Sequence, residues 1–157
     1  LELTRRMTVK RNCFARIAGA YLDEEGNLYF AGKQALDIAI GTDTLHAVHT
    51  GEWNGDMQGI NNYSNSFIIK TDKDFNHLAH VTATGTVTSD QIMRMSYKNG
   101  KLMVIGHILT ADAAKTFQLA GKEVTINDRS ILVAQLDKNL TCSYQGNEGR
   151  AHQHFHR

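Results

Sequence analysis

Eight histidines are the residues of this chain best suited to chemistry, and their spacing decides what they could share. An imidazole can ligate zinc or carry a proton near neutral pH, but a zinc centre needs three or four donors converging on one point at about 2 Å. His46 with His49, and His77 with His80, are each three apart. On a helix that spacing puts both side chains on one side. On a strand, where side chains alternate, it sends them to opposite faces. The surrounding sequence is strand-like, so both pairs are expected to be surface or hydrogen-bonded histidines, and no metal site is assigned. His152, His154 and His156 are spaced by two, so an extended tail would present all three on one side, which suits adventitious nickel or zinc binding.

Other chemistry-bearing patterns are sparse. The sequence has no Gly-rich phosphate loop, Cys-x-x-Cys pair, Gly-x-Ser-x-Gly elbow or His-Glu-x-x-His helix, so no catalytic residue and no cofactor is assigned. Glu24 with Glu25, and Asp72 with Asp74, fall in turns, where solvation is expected to hold them near their reference pKa. Asp23 to Asn27 is acidic but lacks the alternating ligands and distal Glu of a calcium loop. The richest stretch for recognition runs from about Thr50 to Ser66 and contains the one Trp of the chain. There Trp53, Asn54, Asp56, Asn61, Asn62 and Tyr63 sit on a Gly-rich backbone. Aromatic faces beside amides suit a sugar or a peptide, because the ring supplies apolar area while the amides satisfy hydroxyls or backbone groups. These six residues are the candidate binding site. Asn62-Tyr63-Ser64 and Asn139-Leu140-Thr141 match the glycosylation sequon, which matters only in a eukaryotic secretory protein.

The elements that position such residues must fit one domain or a piece of one. The chain has 157 residues, a formal charge of +1 and 41% hydrophobic residues, which favours a folded protein and gives no global field for nucleic acid. No apolar run of about 18 residues is present, so no membrane span is expected. Proline is absent, and nothing physical explains that. Cys13 and Cys142 lie near opposite ends and form no framework of the small secreted kind. Residues 1–13 are basic and include Arg5-Arg6, but the apolar patch from Cys13 to Leu22 is broken by Arg16. They are therefore set apart as a leader or appended sequence and not read as an export signal.

The chain repeats itself. Leu28-Tyr29-Phe30-Ala31-Gly32 follows a Gly26-Asn27 turn, and Leu102-Met103-Val104-Ile105-Gly106 follows Asn99-Gly100-Lys101, with the two glycines 74 residues apart. Phe67 to Phe75 aligns with Leu132 to Leu140 at an offset of 65. The difference falls in the connection, where insertions are tolerated. Each unit reads as strand, tight turn, strand ending in Gly, long connection, apolar strand, Asp-rich turn, strand. The alternation from Gln91 to Tyr97, followed by Asn99-Gly100, predicts a hairpin over about 91–105. Tyr29-Phe30-Ala31, Phe67-Ile68-Ile69 and Met103-Val104-Ile105 are continuous apolar runs, which predicts strands covered on both faces. His77 to Thr82 and Thr141 to Gln145 are mixed in polarity and fit outer strands.

These elements, from Leu22 to Gly32, Ser66 to Asp72, Thr110-Ala111-Asp112 with Phe117, and Ile131 to Asp137, resemble the bacterial beta-propeller repeat (SBBP) family over roughly residues 15 to 146. The resemblance implies an all-β fold of two four-stranded antiparallel blade-like sheets, at 14–85 and 86–147, followed by a His-containing tail at 148–157; a β-sandwich is the alternative. It also implies a non-catalytic scaffold or binding module of a larger cell-surface or secreted protein. The expected partners are a protein or glycan, and further blades from a longer chain or from homo-oligomerisation, since two blades cannot close a ring. The competing reading is a metal-dependent hydrolase or lyase using His77, His80 or His107.

Overall fold

A computed structural model describes residues 15–40, 42–48, 64–87, 89–110 and 114–149. Among the described residues there is no helix, and all strand pairings are antiparallel. The strands in chain order are β1 (Ala15–Leu22), β2 (Leu28–Gln34), β3 (Ile38–Ile40), β4 (Asp43–Leu45), β5 (Asn65–Thr71), β6 (His77–Thr82), β7 (Thr84–Gly85), β8 (Ser89–Lys98), β9 (Lys101–Leu109), β10 (Lys115–Leu119), β11 (Lys122–Ile126), β12 (Ser130–Asp137) and β13 (Cys142–Gly149). An N-terminal sheet has the order β1-β2-β5-β6 and a C-terminal sheet β8-β9-β12-β13, so both are meanders with the same interruption after the second strand. Each interruption, which reads from the sequence as plain connection, carries a hairpin. β3 pairs β4 in the first, and β10 pairs β11 in the second, with β7 adding to β10.

The two sheets share their irregularities as well as their order. The pairing slips after Ile17 opposite Gly32, and again after Ile92 opposite Gly106. A Cβ on Gly32 would lie 2.0 Å from the Arg16 carbonyl oxygen, and one on Gly106 would lie 2.1 Å from that of Gln91. The bulged strand therefore presses its backbone where a side chain would stand, and glycine is the residue that permits it. A second pair of slips separates His77 from Ala79 and Cys142 from Tyr144 on the outer strands.

Three hairpin turns are built alike. In Asp23–Asn27, Asp72–Asn76 and Asp137–Thr141 the Asp Oδ1 accepts backbone N–H bonds from the residues two and four ahead, at 2.7 to 3.0 Å. The fourth residue has positive φ: Gly26 at 84°, Phe75 at 64° and Leu140 at 63°. Left-handed backbone costs a side-chain-bearing residue about 1–2 kcal/mol. Phe75 offsets this by stacking on Phe30 at 6.2 Å, and Leu140 by burial in the core. Asn99-Gly100 closes the β8–β9 hairpin with both φ angles positive, as its sequence predicts. Ala120-Gly121 does the same between β10 and β11, at 49° and 80°.

The main core lies between the sheets. One face of the N-terminal sheet, through Tyr29, Ala31 and Ile68, meets one face of the C-terminal sheet, through Ile92, Met95, Leu102 and Val104. Tyr29 and Tyr97 stack across the junction at 5.5 Å. Phe117, Leu119 and Ile126 from the β10–β11 hairpin join the same core. On its other face the N-terminal sheet carries Phe67, Ile69 and Phe30, covered by Ile38, Ile40 and Leu45 of β3–β4. Every residue of β5 is therefore buried, as its continuous apolar run predicts.

The corresponding expectation for Met103-Val104-Ile105 does not hold. β9 alternates buried and open positions, Val104 is sealed, and Ile105 is 49% exposed. No described element covers the far side of the C-terminal sheet, so Ile131 and Met93 are also open there. Full burial of an aliphatic side chain contributes about 1.5–3 kcal/mol, so this face forgoes a substantial gain.

Two backbone substitutions should move stability in opposite directions. Gly106→Ala should lower unfolding free energy by about 2–3 kcal/mol, because its methyl meets a main-chain carbonyl that cannot swing away. Ala120→Gly should raise it by about 0.5 kcal/mol, relieved left-handed strain outweighing the added chain entropy. Urea unfolding monitored by circular dichroism reads both.

Candidate functional site

The six binding candidates, Trp53, Asn54, Asp56, Asn61, Asn62 and Tyr63, lie outside the described residues, as do His49, Cys13 and the histidines of the tail. Both stems of the Trp53 segment are described, and they stand in a buried polar knot. Val48 N–H donates to Asn65 Oδ1 at 2.8 Å, and Gln34 Nε2 donates to the His46 carbonyl at 3.1 Å. Asp90 N–H donates to the Ser64 carbonyl at 2.9 Å, and Ser64 Oγ to the Asp90 carbonyl at 3.3 Å. Gln34, Ser64, Asn65, Ser66 and Asp90 are all fully buried.

Asp90 is the electrostatic centre of this knot. Its Oδ1 accepts the Ser66 backbone N–H, whereas Oδ2 has no hydrogen-bond partner among the described residues. Burial pushes its pKa up to about 7, and the Ser66 bond opposes the shift without cancelling it. The sequence contained a signal for this position. Asp90 and Ile92 are two apart on one strand, so alternation puts the carboxyl on the same face as a core isoleucine.

The second constellation corrects the expectation for His77 and His80. A bulge at Leu78 inserts one residue between them, which turns both rings to one side with centroids 5.1 Å apart. His80 Nδ1 is 3.1 Å from His77 Nε2, and His77 Nδ1 is bonded to Asp43 on β4. The carboxylate accepts only, so His77 Nδ1 carries the proton and its Nε2 accepts from His80 Nδ1. His80 Nε2 is thereby left as the basic nitrogen at the end of an Asp-His-His chain. Burial, and then the electrostatic influence of His77, lower the His80 pKa.

This chain can relay or hold a proton. Among the described residues no three His, Cys, Asp or Glu side chains are grouped to hold a metal ion. His46 is instead bonded to Asp37 at 3.0 Å, and His107 lies away from both groups, with its Nδ1 3.3 Å from Met93 Sδ. Burial, then the charges of Lys33 and Arg129, lower the His107 pKa.

Asp72 departs from the expectation of reference behaviour. The Asn76 side chain and backbone N–H bonds hold Asp72 below the usual carboxylate value. Burial pushes Asp23 up, yet bonds from Asn27, Tyr29 and Glu25 outweigh it and leave the group lowered. These acids shape turns. Cys142 is buried in the core.

No family model, curated protein or solved structure matches the chain, so none of these comparisons assigns it to the propeller-repeat family or to another. Among the described residues no helix is long and apolar enough to cross a membrane.

Asp90 should impose a pH dependence on stability. Its folded pKa stands above the ordinary 3.8, so the native state binds the proton that the unfolded chain releases. That contribution is fully present below pH 3.8 and is lost as pH rises through about 7, at about 1.4 kcal/mol per pH unit inside the window. His80 acts in the opposite sense, since its lowered pKa removes stability as pH falls below 6.5. Asp90→Asn should flatten the decline between pH 4 and 7 in urea titrations, whereas His80→Gln should leave that decline in place.

Proposed function

We propose that the chain is a non-catalytic scaffold or binding module in which two propeller-type blades follow one another. In this reading it belongs to a larger bacterial surface or secreted protein and offers the 49–63 segment to a protein or glycan. The observation that carries the reading is which faces meet. By register, Tyr29, Ala31 and Ile68 of the N-terminal sheet correspond to Met103, Ile105 and Val133 of the C-terminal sheet. Yet the C-terminal sheet meets the first with its opposite side, through Leu102 and Val104. Unlike faces in contact are the packing of successive members of an array. A sandwich related by a local twofold would join like faces instead.

The hydrolase or lyase reading draws on the Asp43-His77-His80 chain, which supplies a basic nitrogen without the converging ligands that a zinc site needs.

A glycan array probed with the purified protein separates the readings. Binding to an arrayed glycan, weakened at least about tenfold in Trp53→Ala with unchanged melting, is the expected result. Absence of any bound glycan, together with stoichiometric zinc that survives removal of residues 151–157 and is lost in His80→Ala, would replace the scaffold with a metal-dependent hydrolase or lyase.

A further inference from the structure

The contact between the two sheets is one of unlike faces, and each of its two sides has an open counterpart elsewhere on the chain. On β8 the side facing the N-terminal sheet is formed by Ile92, Met95 and Tyr97. The register puts Ile17, Ala20 and Leu22 of β1 in the same places, opposite Gly32, Phe30 and Leu28 where β8 faces Gly106, Val104 and Leu102. Ile92 is fully buried, whereas Ile17 is 49% and Leu22 59% exposed. The receiving side, Tyr29, Ala31, Ser66 and Ile68, has as its counterparts Met103, Ile105, Ile131 and Val133. That is the open face of the C-terminal sheet, with Ile131 53% exposed.

From this we infer that a second copy of the chain docks head to tail, laying its β1 stripe of Ile17, Ala20 and Leu22 on the open face around Met103, Ile105, Ile131 and Val133. The inference rests on the blade reading above. Continuity with the internal interface chooses the occupant, because the chain already buries one such stripe on one such face. The sizes also match. Inside the chain Gly19 leaves room for Met95, whose Cγ stands 3.4 Å from where a Cβ would be. At the outer contact the counterpart of Gly19 is Arg94 and that of Met95 is Ala20, so a large residue meets a small one with the order reversed. Tyr29 on Tyr97 becomes Met103 on Leu22, again apolar on apolar.

Such a contact is heterologous: each copy contributes a different surface, so the assembly grows into a ring or an open chain. Charge placed on either surface disables one end only. Sedimentation of the 157-residue chain should show concentration-dependent assembly. Ile17→Glu alone and Ile105→Glu alone should each sediment as a monomer with native circular dichroism. Their equimolar mixture should form a dimer, since one partner keeps an intact β1 stripe and the other an intact open face. Ile131→Lys should repeat the behaviour of Ile105→Glu.

Two results overturn the inference. One is a wild-type monomer at every concentration. The other is assembly that mixing fails to restore, the mark of a self-complementary interface. The Tyr29–Tyr97 pair separates this failure from failure of the blade reading. A monomer whose near-ultraviolet dichroism changes in Tyr97→Ala, as stacked rings require, loses the head-to-tail contact alone. A wild-type spectrum that Tyr97→Ala leaves unchanged removes the packed sheets as well.

Discussion

The packing of one sheet's receiving side on the other sheet's opposite side governs the rest of this structure. Tyr29 lies at its centre, stacked on Tyr97, beneath the Lys70 ammonium at 5.3 Å, with its hydroxyl 3.2 Å from both Asp23 Oδ2 and the Lys138 carbonyl. Lys70 Nζ donates to that same carbonyl at 3.0 Å. The turn between β12 and β13 is thereby tied to the N-terminal sheet by polar contacts at the rim of an apolar junction. Burial, followed by the Asp23 charge, raises the Tyr29 pKa, so the phenol keeps its proton and remains a donor. A buried hydroxyl that finds partners costs little, whereas one without partners would cost about 1–3 kcal/mol. The aromatic ring therefore adds area to the core without introducing an unsatisfied group.

The strands that meet at that junction, β1 and β8, are both bulged. A bulge adds twist and bends the strand that carries it. β1 and β8 are each bulged at the matching place, opposite a glycine whose missing side chain lets the displaced carbonyl in. Gly85 of β7 allows a similarly close approach to β10, where a Cβ would lie 2.2 Å from the Thr116 carbonyl oxygen. The outer-strand bulge at Leu78 has a chemical consequence as well. It changes side-chain parity, so two histidines three residues apart come to share a hydrogen bond.

What the sequence revealed follows from how local each cause is. The Asn99-Gly100 hairpin, the Asp-led turns and the fully buried β5 depend on neighbouring residues, and their signals were readable. Gly32 and Gly106 read from the sequence as strand ends, yet β2 runs on to Gln34 and β9 to Leu109, and the glycines stand inside the strands as the partners of bulges. Bulges themselves are fixed by what the opposite strand allows, and nothing in His77-Leu78-Ala79-His80 announces one. The β3–β4 hairpin escaped because its strands are three residues long, and the β10–β11 hairpin because its turn uses Ala120 where asparagine or glycine is usual. Ile105 shows the limit of composition: an apolar run has the same spelling whether its second face is covered or waiting to be covered.

The binding candidates in the 49–63 segment are linked to this architecture through the polar knot at their stems. A segment rising from a purely apolar foot would leave its backbone groups to compete with water. Here Asn65, Ser64 and Asp90 take those groups inside the fold, joining the start of β8 to the start of β5. Asp90 therefore couples the stem to the strand that also makes the sheet-to-sheet junction.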